Sequence, residues 1–439
     1  MRFSAFDTSL WFATAVAPVA TPALNERLEA DVCVVGGGYT GLATALELAC
    51  RGLNVVLLEA EEIGFGGSGR NAGHCTPTFH HHSIPQIRQM LGPVYGERLI
   101  ARQTGANAVV AQYIARYNID CEWQQNGYLM AAHTPSAMAR LVLKTDEYNA
   151  VGQRIRLLDR DEACALTGSQ RFHGGWFHPA AGHLNPLGYA RGLARAVVQE
   201  GGRVFSRSAV CNVARQGGRW QVNTSNGSVL ADKVIFATGA YSRLGWPGLD
   251  QTFRIQKVFV AATEPLPVSV RQQVLPLNTT THDGRGDIFV YKYNAEGRIV
   301  ASMFPMGRRG RDMAFTHQVM SERLHWLHPQ IAKSVRWDYF WMGELDMQRK
   351  TIPRLYGLAP GVVALTGLAG RGVPTGSMLG GILADWATDV PAAELALNIE
   401  PIRAAPAYMS VAPSLALRYY RWRDNRAARH DGVELPPYH

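Results

Sequence analysis

The 439-residue sequence has little charge, few cysteines and no long apolar run. Only 18% of the residues are charged and 47% are hydrophobic, a balance that supports a large core and excludes a mostly disordered chain. The six cysteines form no C-x-x-C pair, which argues against a disulfide framework or a metal site and predicts a reducing, cytoplasmic location. No stretch of about 20 apolar residues occurs, so we expect no transmembrane segment.

The formal net charge of +9 is compatible with nucleic acid, a membrane surface or an anionic ligand as a partner. The basic residues are dispersed and no nucleic-acid motif is present, so we expect no nucleic-acid partner. The basic aromatic segment 408–430 either contacts a membrane or packs across the protein, and we favour packing. Asp7 and Pro18 interrupt the apolar N-terminal stretch, which argues against an export signal.

Residues 31–75 contain the most informative pattern in the chain. The apolar residues 32–35 predict a buried strand, the periodicity of residues 40–51 predicts a helix, and residues 54–58 predict a second strand. A glycine-rich turn joins the first strand to the helix, as in the units that bind dinucleotides.

Each glycine of this G-x-G-x-x-G turn has a physical role. Gly36 permits the tight turn, Gly38 lets the backbone approach a pyrophosphate, and Gly41 lets the helix pack against the strand. The helix N-terminus offers free N–H groups to phosphate oxygens. Glu59, at the end of the second strand, can accept hydrogen bonds from a ribose. The alternative is a glycine-rich turn in an ordinary α/β domain.

Residues 64–73 (GFGGSGRNAG) form a second segment of small and polar residues, which we expect to be a loop that approaches a ligand. An NAD enzyme has no need of a second such loop, whereas FAD extends beyond its pyrophosphate. The two motifs together resemble those of the D-amino acid oxidase, glycine oxidase and sarcosine oxidase superfamily of FAD enzymes. The GSGRNAG stretch resembles the branch of the γ-glutamylputrescine oxidases and bacterial L-pipecolate oxidases.

The resemblance implies an α/β (α+β overall) fold. It consists of a Rossmann-like FAD-binding domain and a discontinuous second domain, in which helices accompany an antiparallel sheet that covers the flavin. The expected FAD-binding domain comprises residues 27–85, 150–245 and 340–400. The expected substrate-binding domain comprises residues 86–149 and 246–339, and residues 401–439 form a C-terminal tail.

The resemblance also implies which residues contact the coenzyme. They lie in the first turn, at the acid, in the small-residue loop, in the later strand that ends in A-T-G, and in a second glycine turn before a helix aimed at the flavin. These residues are Gly36, Gly38, Tyr39, Thr40, Gly41, Glu59, Ala60, Gly67, Ser68, Arg70, Asn71, Ala72, Gly73, His74, Val210, Thr238, Gly239, Gly370, Gly372, Val373, Pro374 and Thr375. No cysteine follows Cys211, so by comparison with the family we expect non-covalent FAD.

The implied reaction is oxidation of a C–N bond in an amino acid or a secondary amine. Hydride moves from the α-carbon to flavin N5, an imine forms, and the electrons pass to O₂ to give H₂O₂ or to another acceptor. The substrate is expected to be a cyclic imino acid such as L-pipecolate or another anionic amine. A γ-glutamylputrescine-type substrate and an amine dehydrogenase remain alternatives, and so does a non-catalytic flavoprotein subunit. We expect a monomer or a homodimer.

Five residues are candidates for the chemistry. His74, Lys292 and Arg371 are candidate catalytic residues, and Tyr291, Trp341 and Arg371 are candidate substrate contacts. The plainer alternatives are a polar loop residue for His74, a solvated lysine for Lys292 and a core residue for Trp341. A reductase or monooxygenase that uses NAD(P)H would need a second dinucleotide fingerprint, and none follows residue 90.

Overall fold

The computed structural model describes residues 6–79, 81–242, 245–306 and 312–437. Two large β-sheets and the helices around them make up these residues. The prediction of a mixed α/β fold with a second, mainly antiparallel sheet is confirmed.

The larger sheet has the predicted strand–helix–strand unit near its centre. Its strands are β1 (Arg27–Val35), β2 (Val55–Leu58), β8 (Arg203–Phe205), β9 (Asn212–Gln216), β10 (Arg219–Asn223), β11 (Ser228–Phe236), β17 (Arg354–Ala359), β18 (Val362–Thr366) and β19 (Ile399–Pro401). Their order is β19-β17-β18-β11-β1-β2-β8, and β10 and β9 extend from β11. All four residues of β2 are buried, as expected for a parallel strand that is covered on both faces.

The second sheet forms a wall opposite the first. Its strands are β4 (Tyr128–Ala131), β5 (Arg156–Leu158), β6 (Gly175–His178), β12 (Arg254–Pro265), β13 (Thr280–His282), β14 (Phe289–Tyr293), β15 (Arg298–Met303) and β16 (Trp337–Met347), in the order β16-β12-β15-β14-β13-β4-β6-β5. A small ribbon pairs β3 (His74–Cys75) with β7 (Gly182–His183). The sequence placed β5, β6 and most of β16 with the coenzyme domain, but their hydrogen bonds join this sheet. The domain division itself stays a prediction.

Helices cover both sheets. They are α1 (Leu10–Thr14), α2 (Tyr39–Cys50), α3 (Gly67–Arg70), α4 (Ile84–Thr104), α5 (Ala106–Arg116), α6 (Pro135–Asn149), α7 (Arg160–Thr167), α8 (Pro186–Gln199), α9 (Val268–Arg271), α10 (Met313–Leu327), α11 (Gly372–Ala387) and α12 (Ala412–His430). Helices α2, α8 and α11 bury their apolar faces in one cluster with β1 and β2. No helix in the described ranges has both the length and the apolar character needed to cross a bilayer.

The sequence predicts a helix over residues 317–333, whereas α10 comprises Met313–Leu327. Helix α10 begins earlier because the Asp312 carboxylate accepts hydrogen bonds from the N–H groups of Ala314 and Phe315. It ends at Leu327 because Pro329 disfavours the helical conformation for His328, which has φ −137° and ψ 87°. Both signals are present in the sequence.

Candidate functional site

The turn between β1 and α2 brings backbone atoms close to a large cavity. Gly36 has φ +114°, a region that favours glycine, and a Cβ on Gly41 would collide with the carbonyl oxygen of Gly36. The N–H of Tyr39 donates to Ser68 Oγ (2.9 Å). The Thr40 hydroxyl is buried without a hydrogen-bond partner in the described part of the chain. A helix N-terminus beside such a hydroxyl is suited to phosphate oxygens.

Glu59 lies directly after β2 and lines the same cavity. Its Oε2 accepts a hydrogen bond from the Gly37 N–H (2.6 Å), and its Oε1 accepts one from the Glu61 N–H (2.9 Å). Burial raises the pKa of this carboxyl group, while these two N–H groups act against that rise. The two bonds fix the orientation of the carboxylate.

The chain after β8 crosses over Glu59. The Ser208 N–H donates to the carbonyl oxygen of Glu59 (2.8 Å), and Val210 lines the cavity. The sequence of residues 204–213 predicts a single strand, and this prediction is wrong because β8 and β9 are separate strands. The backbone leaves the sheet between them, and Arg207 has φ +49°.

Residues 64–73, predicted to be a loop, contain the single helical turn α3. Asn71 organises this segment through its side chain: its Nδ2–H donates to Tyr39 Oη (3.1 Å) and to the Gly67 carbonyl oxygen (3.1 Å), and its Oδ1 accepts from the Gly73 N–H (2.8 Å). Gly73 has φ +82°, and a Cβ there would meet the Leu184 carbonyl oxygen. The segment is thus an ordered part of the cavity wall.

Two buried tryptophans hold the loop from behind. The Trp11 indole N–H donates to the Asn71 carbonyl oxygen (2.8 Å), and that of Trp341 donates to the Arg70 carbonyl oxygen (2.7 Å). Their rings meet edge to face, with centroids 5.9 Å apart. Trp341, a candidate substrate contact, is fully buried and is not among the cavity-lining residues.

A second turn, between β18 and α11, faces the cavity from another side. The Asp346 carboxylate accepts hydrogen bonds from the N–H groups of Gly367 (2.6 Å), Leu368 (3.4 Å) and Ala369 (3.1 Å). These bonds hold Ala369 at φ +48°, which is uncommon for a residue with a side chain. No sequence pattern identified Asp346, because it lies on a strand of the other sheet.

The cavity between the two sheets has a volume of about 770 Å³, within the range of small-molecule and cofactor sites. Most of the predicted coenzyme contacts line it, namely Gly36, Gly38, Tyr39, Thr40, Glu59, Ala60, Gly67, Ser68, Arg70, Asn71, Ala72, His74, Val210, Thr238, Gly239, Gly370, Gly372 and Val373. The predicted contacts Gly41, Gly73, Pro374 and Thr375 are not among the lining residues, and the Thr375 hydroxyl donates instead to Gln103 Oε1 (3.0 Å). These contacts stay predictions.

Arg371 precedes α11 and reaches into the cavity. Its Nη2 donates to the Thr351 carbonyl oxygen, whereas Nε and Nη1 are buried and lack a partner among the described residues. Burial lowers the pKa of the guanidinium to about 10, so it remains charged at neutral pH. A buried cation with free donors is a suitable anchor for a carboxylate.

His74 lines the cavity on the ribbon β3–β7, and neither of its ring nitrogens has a partner in the described residues. Burial, with Lys292 and His282 nearby, lowers its pKa to about 3, so the ring is neutral. Lys292 is 1% exposed and lies behind His74, with its Nζ 5.0 Å from the Trp11 ring centroid. Burial lowers the pKa of Lys292 to about 8.

Tyr291 is directed away from the cavity. Its hydroxyl makes a hydrogen bond with His328 Nε2 (2.7 Å) within a separate apolar cluster. Its neighbour Val290 lines the cavity instead, because successive residues of β14 face opposite sides of the sheet. The structure therefore does not bring Tyr291 together with the other candidates.

Three further polar side chains line the cavity near Arg371 and His74: His81, Tyr128 and His282. The run of three histidines at positions 80–82 predicts a polar loop beside the flavin in preference to a metal site, and His80 lies outside the described residues. Nothing in the sequence singled out Tyr128 or His282, which neighbouring strands of the second sheet place there. In the described ranges, no three His, Cys, Asp or Glu side chains are arranged to hold a metal ion.

This donor set fits FAD. Glu59 offers a carboxylate to ribose hydroxyls, the start of α2 offers N–H groups and the unpartnered Thr40 hydroxyl to phosphates, and the start of α11 offers a positive helix end to an electron-rich ring. No cysteine lines the cavity in the described part of the chain. Non-covalent attachment stays a prediction.

Comparison with known proteins agrees with this fit. Residues 31–386 match the DAO family, described as FAD dependent oxidoreductase. The chain is 31% identical over 366 residues to the gamma-glutamylputrescine oxidoreductase of Escherichia coli, covering 82% of this chain and 84% of that protein. It is 30% identical over 370 residues to the probable oxidoreductase OrdL of Haemophilus influenzae, covering 83% and 84%.

Solved structures show the same fold. The glycine oxidase of Geobacillus kaustophilus superposes with a TM-score of 0.67 at 20% identity, covering 82% of this chain and 95% of that one. The L-proline dehydrogenase of P. horikoshii gives 0.67 at 18% identity, covering 84% and 94%. The resemblance drawn from the sequence is confirmed: the chain belongs to the DAO family of FAD-dependent oxidoreductases.

Proposed function

We propose that this protein oxidises the C–N bond of a small amine that carries a carboxylate, such as L-pipecolate or another cyclic imino acid. The observation that carries the proposal is Arg371, a buried guanidinium on the cavity wall whose Nε and Nη1 have no hydrogen-bond partner among the described residues. Leaving a buried charge without a counter-ion is costly, so an anionic ligand in this place stabilises the site.

The amine end of the substrate would lie between His74 and apolar side chains. Val258, Val260 and Val290 line the cavity from the second sheet, so bound substrate loses much of its water. Desolvation and the nearby cation of Lys292 both lower the pKa of a substrate amine, which favours the neutral form with a lone pair. The neutral His74 ring can orient that nitrogen by a hydrogen bond.

Bound FAD would supply the redox chemistry, accepting a hydride from the substrate carbon and passing two electrons to O₂ or to another acceptor. The substrate also loses a proton and becomes an imine, which water hydrolyses. Where O₂ is the acceptor, two electrons and two protons convert it to H₂O₂. Lys292, a cation below pH of about 8, would favour reduction of O₂ by stabilising negative charge near the cavity.

A second candidate substrate is a γ-glutamylated polyamine, supported by the 31% identity to gamma-glutamylputrescine oxidoreductase. It too carries a carboxylate, but the carboxylate is remote from the amine that is oxidised. In a cyclic imino acid both groups belong to one α-amino acid unit, so the two candidates differ in how far the carboxylate lies from the oxidised carbon.

An anaerobic substrate screen tests the proposal. The FAD-loaded protein is mixed without oxygen, in separate samples, with L- and D-pipecolate, L- and D-proline, sarcosine, γ-glutamylputrescine, putrescine and NADPH, and bleaching of the flavin absorbance is followed. We expect bleaching by a cyclic imino acid and peroxide on admission of air. Bleaching without peroxide would identify a dehydrogenase. Bleaching by putrescine alone, or only by NADPH, would contradict the proposal.

A further inference from the structure

Helix α12 packs on the protein with one face and leaves an apolar stripe on the other. The stripe consists of Leu415, Tyr419 and Trp422 on α12 together with Tyr408 and Val411, which directly precede the helix, and each of these residues is 52–57% exposed. At 100° per residue, Leu415, Tyr419 and Trp422 share one side of the helix. Large apolar side chains exposed side by side mark an interaction surface more often than isolated ones do.

Positive charge accompanies the stripe. Arg418, Arg426 and Arg429 are exposed on the same side of α12, and the Arg426 guanidinium lies 5.6 Å from the Trp422 ring centroid. Asp424, which is the sole acidic residue between positions 412 and 430, is 1% exposed and faces inward. The outward face of α12 is therefore apolar and basic, with no acidic residue.

The inward face is fastened to the second sheet, so the predicted packing describes this face of α12 and leaves the outward face exposed. Asp424 Oδ2 accepts the Gly286 N–H (2.7 Å), and Arg421 Nε donates to Asp287 Oδ2 (3.0 Å). These contacts belong to the connection between β13 and β14, and Ile288 in the same connection lines the cavity. The stripe is thus held on the outside of the wall that encloses the candidate site.

We infer that the stripe and its arginines dock this protein on an anionic lipid bilayer. Tyrosine and tryptophan are suited to the boundary between headgroups and acyl chains, and arginines beside them attract anionic headgroups. A second copy fits this face less well. A two-fold interface would place the same patch of each copy against the other, so three arginines would face three arginines without a carboxylate.

The experiment is flotation of the FAD-loaded protein with vesicles in a sucrose gradient at low salt. One set of vesicles is pure phosphatidylcholine, and the other contains equal parts of phosphatidylcholine and phosphatidylglycerol. We expect flotation with the anionic vesicles alone and its loss in 0.5 M salt, a concentration at which the screening length is only about 4 Å. Absence of flotation with anionic vesicles would overturn the inference.

Two variants locate the surface. The first carries Leu415→Glu, Tyr419→Glu and Trp422→Glu, and the second carries Arg418→Gln, Arg426→Gln and Arg429→Gln. Each arginine near an anionic surface contributes about a five-fold preference, so the second variant should bind roughly a hundred-fold more weakly. Both should keep the flavin spectrum and the turnover with soluble substrate, which shows that they are folded.

A matched control removes the same charge elsewhere. Arg116→Gln, Arg156→Gln and Arg336→Gln replace three arginines with 60–70% exposed side chains, and this variant should float as the parent protein does. If the control variant loses flotation to the same extent, net charge alone explains binding, and the assignment of the docking surface to α12 is overturned. Light scattering tests self-association. If the parent protein is a dimer and the variant with Leu415→Glu, Tyr419→Glu and Trp422→Glu is a monomer, a second copy covers the stripe. That result would also overturn the inference.

Discussion

Replacement of Arg371 tests whether this residue binds the carboxylate of the substrate and is not needed for binding of the coenzyme. Arg371→Met removes the charge but keeps an apolar stem of similar reach, and Arg371→Lys keeps the charge but loses the planar pair of donors. Because the free Nε–H and Nη1–H lie on opposite sides of the guanidinium, a substrate carboxylate can accept a charge-assisted hydrogen bond from one of them. Such a bond contributes about 1.5–3 kcal/mol, so Arg371→Met should raise KM about 10- to 150-fold.

The assay compares two substrates that differ in one group. Anaerobic stopped-flow reduction is measured with L-pipecolate and with piperidine, the same ring without the carboxylate. Arg371→Met should weaken binding of L-pipecolate and leave piperidine unchanged, and Arg371→Lys should fall between Arg371→Met and the parent protein. Arg116→Met, at an exposed side chain outside the cavity, serves as the control. Equal effects on both substrates, or loss of FAD from Arg371→Met, would refute the assigned role.

Three other residues give independent predictions. Glu59→Gln should weaken FAD binding roughly 10- to 150-fold, because the glutamine amide N–H would face one of the two backbone N–H groups that now donate to the carboxylate. Fluorescence titration measures the affinity for FAD, and Glu62→Gln is the surface control. Asp346→Asn should lower the free energy of unfolding by roughly 1–3 kcal/mol in urea denaturation, because the turn at residues 367–369 loses a charged acceptor. The rate of the oxidative half-reaction should fall as pH rises through about 8, where Lys292 loses its charge. Lys292→Met should react slowly at every pH, without this transition in rate. If the parent protein and Lys292→Met show the same transition, Lys292 is not its source.

The same pKa has a consequence for stability. Folding lowers the pKa of Lys292 from 10.5 to about 8, so the unfolded chain binds more protons between these two values. The contribution of this residue to the free energy of unfolding therefore rises with pH across that window and is lowest below about 8. Urea denaturation of the parent protein and Lys292→Met across this range should show a difference that shrinks as pH rises.

Features that depend on local backbone geometry were predictable from the sequence. Gly36 and Gly41 fulfil requirements set within a few residues of them, namely a positive φ and a close approach of helix to strand. Glu59 follows from the length of the strand–helix–strand unit. The same locality let the sequence predict α2 over residues 40–51, within one residue of its observed bounds, Tyr39–Cys50.

Features that depend on distant pairing were not predictable. Asp346 acts on a turn about 20 residues away, and Trp11 supports a loop 60 residues later, through contacts that leave no periodic signal. On β14 the sequence FVYKY alternates between three aromatic residues and a valine–lysine pair, so it did not reveal that Val290 rather than Tyr291 faces the cavity. Only the folded structure shows which of the two residues faces the cavity.

The most direct test of the account is reduction of the bound flavin by a substrate deuterated at the carbon that bears nitrogen. With the best amine of the screen, anaerobic bleaching should be several-fold slower for the deuterated form, because cleavage of that C–H bond transfers the hydride. A flavin that no carboxylate-bearing amine reduces would contradict the proposed chemistry, and so would reduction at equal rates under conditions where the chemical step limits bleaching.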